Sequence, residues 1–213
     1  MPRLASFGSA SWNAFRAKNL PQATFRSSAT VANGNSPINK PAGIEVGDLV
    51  LVFFSADADY QTLQTSGGSV WPIVFSSDGR SSCAAKVLTA TDVSNSWVYS
   101  FPTNIYCVAL AYKPNGATGI ALGTVTKFTG VANPSIPGVS NGNSRGVIAA
   151  LDTSLTGNPS SGSNPGAPFT TRRTPGNLSA VSESLTGGYT GANVVFTGVD
   201  TGGDSYGFLI KFT

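Results

Sequence analysis

At 213 residues, with 25 Gly, 13 Pro and a charged fraction of only 11%, the chain is built for frequent turns and lightly charged surfaces. That balance argues against a helical protein, whose exposed faces need Glu and Lys. There is no histidine, which removes Ser-His-Asp and Cys-His catalysis, His-ligated zinc and the usual near-neutral proton shuttle.

Net charge is +3 and divides unevenly. Residues 1–44 hold Arg3, Arg16, Lys18, Arg26 and Lys40 and no acid, whereas the remainder is slightly acidic. A basic arm ahead of a near-neutral body points to docking on an acidic surface. Five dispersed cations do not make the dense patch that nucleic acid requires. Met1-Pro-Arg-Leu-Ala-Ser-Phe7 lacks the apolar core of a secretion signal, and no run reaches the length of a membrane span. The expectation is synthesis in the cytosol and no membrane insertion.

Residues 1–22 read as an arm. Ser11 is placed to cap a short helix over Trp12 to Lys18, with Trp12 and Phe15 on one face and Pro21 as its stop. Two turns are not stable alone, so these aromatics are anchors for the protein's own body or for a neighbour. From residue 23 onward the punctuation is that of a β protein. Ala23 to Val31 alternates Thr and Ser with larger residues, an edge strand. Asn39-Lys-Pro-Ala-Gly-Ile-Glu-Val-Gly-Asp48 is a turn, and it leads into six consecutive apolar residues, Leu49 to Phe54. A short apolar run bounded by turn residues predicts a strand buried on both faces.

Asp57 to Leu63 reads as a loop. Ser69 to Phe75 is a short strand interrupted by Pro72, which places it at an edge or bulge. Ser81 to Leu88 is a strand, Thr89 to Asn95 a polar connection, and Trp97 to Phe101 an alternating aromatic strand. Ile105 to Tyr112 and Gly146 to Leu151 are further buried-looking runs. Residues 119–128 make a strand weakened by Gly123, Val131 to Asn143 is turn-rich, and 153–168 is a long Gly/Ser/Pro/Asn loop. Phe169 to Pro175 encloses Arg172-Arg173, and strands near 178–185, 192–197 and 205–213 close the chain, the last with Tyr206, Phe208, Ile210 and Phe212 on one face. Short strands at this spacing predict an all-β fold, an antiparallel two-sheet sandwich of jelly-roll type over residues 23–213.

Candidate chemistry is sparse. Cys83 and Cys107 lie in apolar settings and read as two buried thiols; a cross-sheet disulfide is the alternative. Asp57 and Asp59 flank Ala58 without a third acid, so a solvated loop is favoured over a cation site. The Gly-rich stretches 186–191 and 201–204 precede no helix and are turns rather than phosphate loops. No catalytic residue, metal ligand or cofactor site emerges. Of the aromatics, Trp97 reads as core. Tyr60 in a loop and Trp71 beside Pro72 are the candidates for stacking on a glycan, with Tyr189 a weaker one. Arg172-Arg173 is either a contact to anionic glycan or a neighbouring subunit, or a charged guard on an edge strand.

The order of these pieces resembles a class of bacteriophage virion β-sandwich proteins. Phe25-Arg-Ser-Ser-Ala-Thr30 precedes Lys40-Pro-Ala-Gly and Gly47-Asp-Leu; then come Trp71-Pro72, Lys86-Val-Leu-Thr-Ala-Thr-Asp92, Trp97 to Phe101, Leu110-Ala-Tyr112 and Asp204-Ser-Tyr206. The likeness spans residues 23–213. It departs after Tyr112, where Lys113-Pro-Asn-Gly116 stands in place of the usual Arg-Gly-Val. It implies a non-enzymatic structural protein on the exterior of the virion, as capsid decoration, head fibre, tail fibre or tail tip. Its partners would be other virion proteins and copies of itself. The arm, through Arg3, Trp12, Phe15, Arg16 and Lys18, would be the anchor. The alternative function is a glycan-binding module for host adsorption, contacting surface polysaccharide through Tyr60 and Trp71.

Overall fold

In the computed structural model the described residues are 21–31, 37–56, 62–77, 81–99, 105–140, 146–153, 165–173, 178–185, 189–197 and 204–213. Apart from one five-residue helix they are all-β. The first sheet comprises β1 (Thr24–Val31), β2 (Leu49–Ala56), β4 (Ile73–Ser77), β5 (Ser81–Val87) and β7 (Ile105–Lys113), in the order β1-β7-β2-β5-β4. The second comprises β8 (Ile120–Thr129), β10 (Val147–Thr153), β11 (Thr170–Arg173), β12 (Leu178–Ser184) and β14 (Asp204–Phe212), in the order β11-β12-β10-β14-β8. Every neighbouring pair is antiparallel. Each sheet is thus drawn from one half of the chain.

The three continuous apolar runs are explained by burial on both faces. Leu49, Leu51 and Phe53 of β2 enter one buried cluster together with Val108, Leu110 and Tyr112 of β7, Ile148 and Ala150 of β10, and Phe208, Ile210 and Phe212 of β14. This cluster takes side chains from both sheets. The opposite face of β2 presents Val50, Val52 and Phe54 to Leu63, Trp71 and Trp97. Leu63 and Trp97 belong to a cover made by β3 (Leu63–Thr65) and β6 (Trp97–Tyr99), and Trp71 lies beside β3, its N–H bonded to Leu63 O. The outer face of β10, with Val147, Ala149 and Leu151, is covered in the same way by Ile136, Tyr189, Val194 and Phe196, around β9 (Ser135–Ile136) and β13 (Val194–Val195). Central strands with apolar residues at every position follow from such layering.

Phe208 and Phe53 stack across the shared cluster with ring centroids 6.1 Å apart and planes 9° from parallel. Phe208 is 2% exposed. Phe208→Ala is expected to cost about 3–5 kcal/mol, read as a lowered midpoint in urea unfolding; an unchanged midpoint would mean that the two sheets do not depend on this contact.

The turn ahead of β2 is held by its own residues. Gly43 and Gly47 take positive φ, +66° and +90°, where a side chain is strained. Gly47 N–H donates to Leu88 O at 2.8 Å. The buried Asp48 carboxylate accepts from Glu45 N–H (2.8 Å) and pairs with the Arg26 guanidinium (2.8 Å). Arg26 lies at a bulge in β1, between Phe25 and Ser27.

Three elements differ from the expectations above. The polar connection after β5 contains a helix, α1 (Ala90–Ser94), and β3 and β9 fall within stretches read as loop or turn. Each is five residues or fewer, too short to display a period.

Candidate functional site

Trp71 is a correction. It is 1% exposed, packs edge-on against Trp97 with centroids 4.8 Å apart, and donates from Nε1 to Thr65 Oγ1 at 3.0 Å. The β3–β6 cover closes over it, so no sugar reaches its face, even though the adjacent Pro72 is exposed. Tyr189 is buried too. Its hydroxyl donates to Ala192 O (2.8 Å) and accepts from Val139 N–H (3.0 Å). Trp97 is core, as expected. Tyr60, the Asp57/Asp59 pair and the arm residues Arg3, Trp12, Phe15, Arg16 and Lys18 lie outside the described residues; the predicted helix at 12–18 does as well.

Cys83 and Cys107 both remain buried thiols. They flank β2 opposite successive residues, Cys83 beside Phe53 and Cys107 beside Phe54, so they point to opposite faces. Cys83 enters the cluster shared by the sheets and Cys107 the cluster beneath the cover. A disulfide between them would have to pass through the sheet, which excludes that alternative.

Two polar assemblies stand out among the described residues. The first centres on Asp92, which is fully buried. Thr89 caps α1, and Asp92 completes a capping box with it. Asp92 Oδ2 accepts from Thr89 N–H (2.8 Å) and Thr89 Oγ1 (2.6 Å). Oδ1 accepts from Lys86 Nζ (2.8 Å) and from Thr65 Oγ1. Burial alone would raise this carboxyl; the hydrogen bonds from Lys86, Thr65 and Thr89 outweigh it and hold the pKa at about 2. The Trp97 indole donates to Asp92 O at 2.8 Å, and Lys40 Nζ binds Val93 O and Asn95 O at 2.6 and 3.1 Å. With its lone pairs engaged, the carboxylate is a strut joining β3, β5 and α1, and the backbone carbonyl of the same residue ties in β6. The carboxylate has no capacity left for a ligand or a proton transfer.

The second assembly lies where β11 and β12 meet the first sheet. Arg172 Nε and Nη2 both donate to Glu183 Oε1, and its guanidinium sits 4.1 Å from the Phe25 ring centroid. Arg172 is therefore a half-buried partner of a buried carboxylate rather than an outward guard. Glu183 is 2% exposed and Tyr112 fully buried. Glu183 Oε2 and the Tyr112 hydroxyl face each other without meeting hydrogen-bond geometry. Burial pushes both groups up, and for Glu183 it outweighs the opposing pull of Arg172.

An apolar groove of about 400 Å³ opens between β4 and β8, lined by Ile73, Val74, Ala85, Ile120 and Leu122, with Lys86 as the charged residue on its wall. Among the described residues no three His, Cys, Asp or Glu side chains gather in a metal-binding arrangement, and no helix is long and apolar enough to cross a membrane.

Reading the sequence missed both assemblies, although each leaves a trace in it. Thr89-Ala-Thr-Asp92 has the spacing of a capping box, and Glu183 shares strand parity with Leu185, which packs on the core. A scan against protein-family models finds no match, and no curated protein matches the chain.

Proposed function

We propose that this chain is a non-enzymatic structural protein of a bacteriophage particle, displayed on the virion exterior as capsid decoration, head fibre, tail fibre or tail tip. The observation that carries the reading is the ordered set of motifs from Phe25 to Tyr206, together with what those residues do. Arg26 and Asp48 lock the turn before β2; Lys86 and Asp92 fasten the cover to the first sheet. The three acids buried among the described residues, Asp48, Asp92 and Glu183, each hold a cation. A chain whose buried charges serve as scaffold suits a display role better than acid–base chemistry.

The same proposal takes the fold to be a two-sheet antiparallel sandwich, supported by the cluster that both sheets fill. In a jelly roll most consecutive strands alternate between the sheets, whereas here each sheet comes from one half of the chain. The proposal keeps the sandwich and drops that wiring. Repeated attachment sites on a particle favour a homo-oligomer with closed symmetry. The host-adsorption reading loses Trp71, which leaves Tyr60 as its remaining contact.

The experiment is deletion of residues 1–20 in the phage that encodes the chain. The truncated protein is expected to keep its melting temperature and to be absent from purified particles. Normal incorporation would overturn the anchoring role of the arm. Finding the full-length chain absent from particles would overturn the virion assignment itself.

A further inference from the structure

We infer that the face between the two sheets is a self-complementary interface between two copies of one folding unit joined in a single chain. The partner that each half is shaped to bind is a second copy of itself. This stands independently of the virion reading.

The first observation is strand order. Numbered by appearance, the five strands of the first sheet run first-last-second-fourth-third: β1-β7-β2-β5-β4. Read from β8, the second sheet runs β8-β14-β10-β12-β11, which is again first-last-second-fourth-third. Neither order is a meander, so joining hairpins in sequence does not generate the repeat. The covers repeat as well. Ahead of its second strand the first half bridges Ile38 to Trp97, which lies between the fourth and last strands. The second half pairs Ile136 with Val194 at the corresponding place. A bulge recurs at the same place in the third-with-fourth pairing (β4·β5 and β11·β12). The first strand is also bulged against the last in both halves, at Arg26 and at Gly123, though not at equivalent positions, and β10·β12 carries a bulge that β2·β5 lacks.

These registers equate individual residues. In the third strands the bulged positions are Val74 and Arg172. Opposite them, Ala85 bonds Pro72 and Glu183 pairs with Thr170, so Ala85 corresponds to Glu183. Ala85 pairs with Leu51 and Leu51 with Leu110, while Glu183 pairs with Ile148 and Ile148 with Ile210. Further along the last strands Tyr112 therefore corresponds to Phe212, and their partners Phe25 and Ile120 correspond in turn.

The contacts between halves have two-fold reciprocity. A two-fold interface requires that when one residue meets another, their counterparts meet as well, and that residues on the axis meet their own equivalents. Tyr112 and Phe212, equivalents by register, pack edge-to-face with centroids 4.9 Å apart. The first strand of one half meets the third strand of the other twice. Phe25 of β1 meets Arg172 of β11, and Ile120 of β8 faces Val74 of β4 across the groove. One junction is plugged by Phe25, Arg172 and Glu183. The other carries the smaller Ile120, Val74 and Ala85 at the same positions, and the groove is the space that remains.

The test builds the plug into the groove of the full chain. Ala85→Glu alone is expected to lower the thermal midpoint by several degrees, because the new carboxylate lacks a cation placed as Arg172 is. Adding Val74→Arg is expected to restore most of that loss, and Ile120→Phe to restore more. Additive losses from Ala85→Glu and Val74→Arg would overturn the inference. A crystal structure of the unaltered chain decides the matter should Ala85→Glu fail to fold. Superposing β7 on β14 is expected to carry the first half onto the second by a rotation of about 180°, with β4 landing on β11. A rotation far from this value, or a third strand that lands elsewhere, would refute it.

Discussion

Asp92→Ala is expected to destabilise the fold by about 3–5 kcal/mol, the range for removing one partner from a buried ion pair. The substitution deletes the capping box of α1, worth about 1 kcal/mol by itself. It also strands the Lys86 ammonium and frees the Thr65 hydroxyl that positions the Trp71 indole. Since Lys86 keeps some access to water, with 16% of its side chain exposed, the loss should fall nearer the lower end. Chemical denaturation at pH 7 measures it. A loss below about 1 kcal/mol, the worth of a surface pair, would remove the strut role. The native chain should also lose stability in acid. The Asp92 carboxyl titrates at about 2 in the fold against an ordinary 3.8, so its contribution is present above pH 3.8 and is lost as pH falls through about 2. Asp92→Asn should flatten that part of the profile.

Arg172→Ala has the opposite pH signature. Burial raises the Glu183 carboxyl above its ordinary 4.5 even with Arg172 in place. The folded chain therefore holds this proton more tightly than the unfolded chain, and stability falls as pH rises from about 4.5 towards the folded value. Without Arg172 the carboxyl rises further. At pH 8 the variant must either bury an uncompensated charge or take up a proton, a cost of about 3–5 kcal/mol. At pH 4 Glu183 is largely neutral in both states. There the cost shrinks to the lost contact with Phe25, about 0.5–2 kcal/mol. Unfolding free energies at the two pH values measure the difference, and a loss independent of pH would show that the pair is not buried as described. Arg172→Ala combined with Glu183→Gln should recover much of the deficit at pH 8.

The central strands were legible because burial on both faces leaves no polar position in the run, and Leu49 to Phe54 states that outright. Period-2 patterning likewise assigned the inner face of β14. What stayed hidden depends on pieces too short to carry a period. The three-residue strands β3 and β6 close over Trp71, so Pro72, a sound marker of an edge strand, misled about the exposure of its neighbour. The faces of Cys83 and Cys107 depend on their register against β2, which strand propensity does not specify. Arg172 and Glu183 are eleven residues apart, but their burial depends on Phe25 and Tyr112 from the other sheet. The repeated strand order is likewise a property of pairing alone, since the two halves carry different side chains at most equivalent positions.

The placement of the two cysteines has a consequence for the redox chemistry open to the folded chain. Thiol chemistry proceeds through an accessible thiolate. Burial raises the Cys83 thiol well above its ordinary range, Cys107 is sealed beneath the cover, and the sheet itself separates them. In the folded chain these two thiols therefore neither pair with each other nor meet an exchanging partner, whatever the surrounding redox potential.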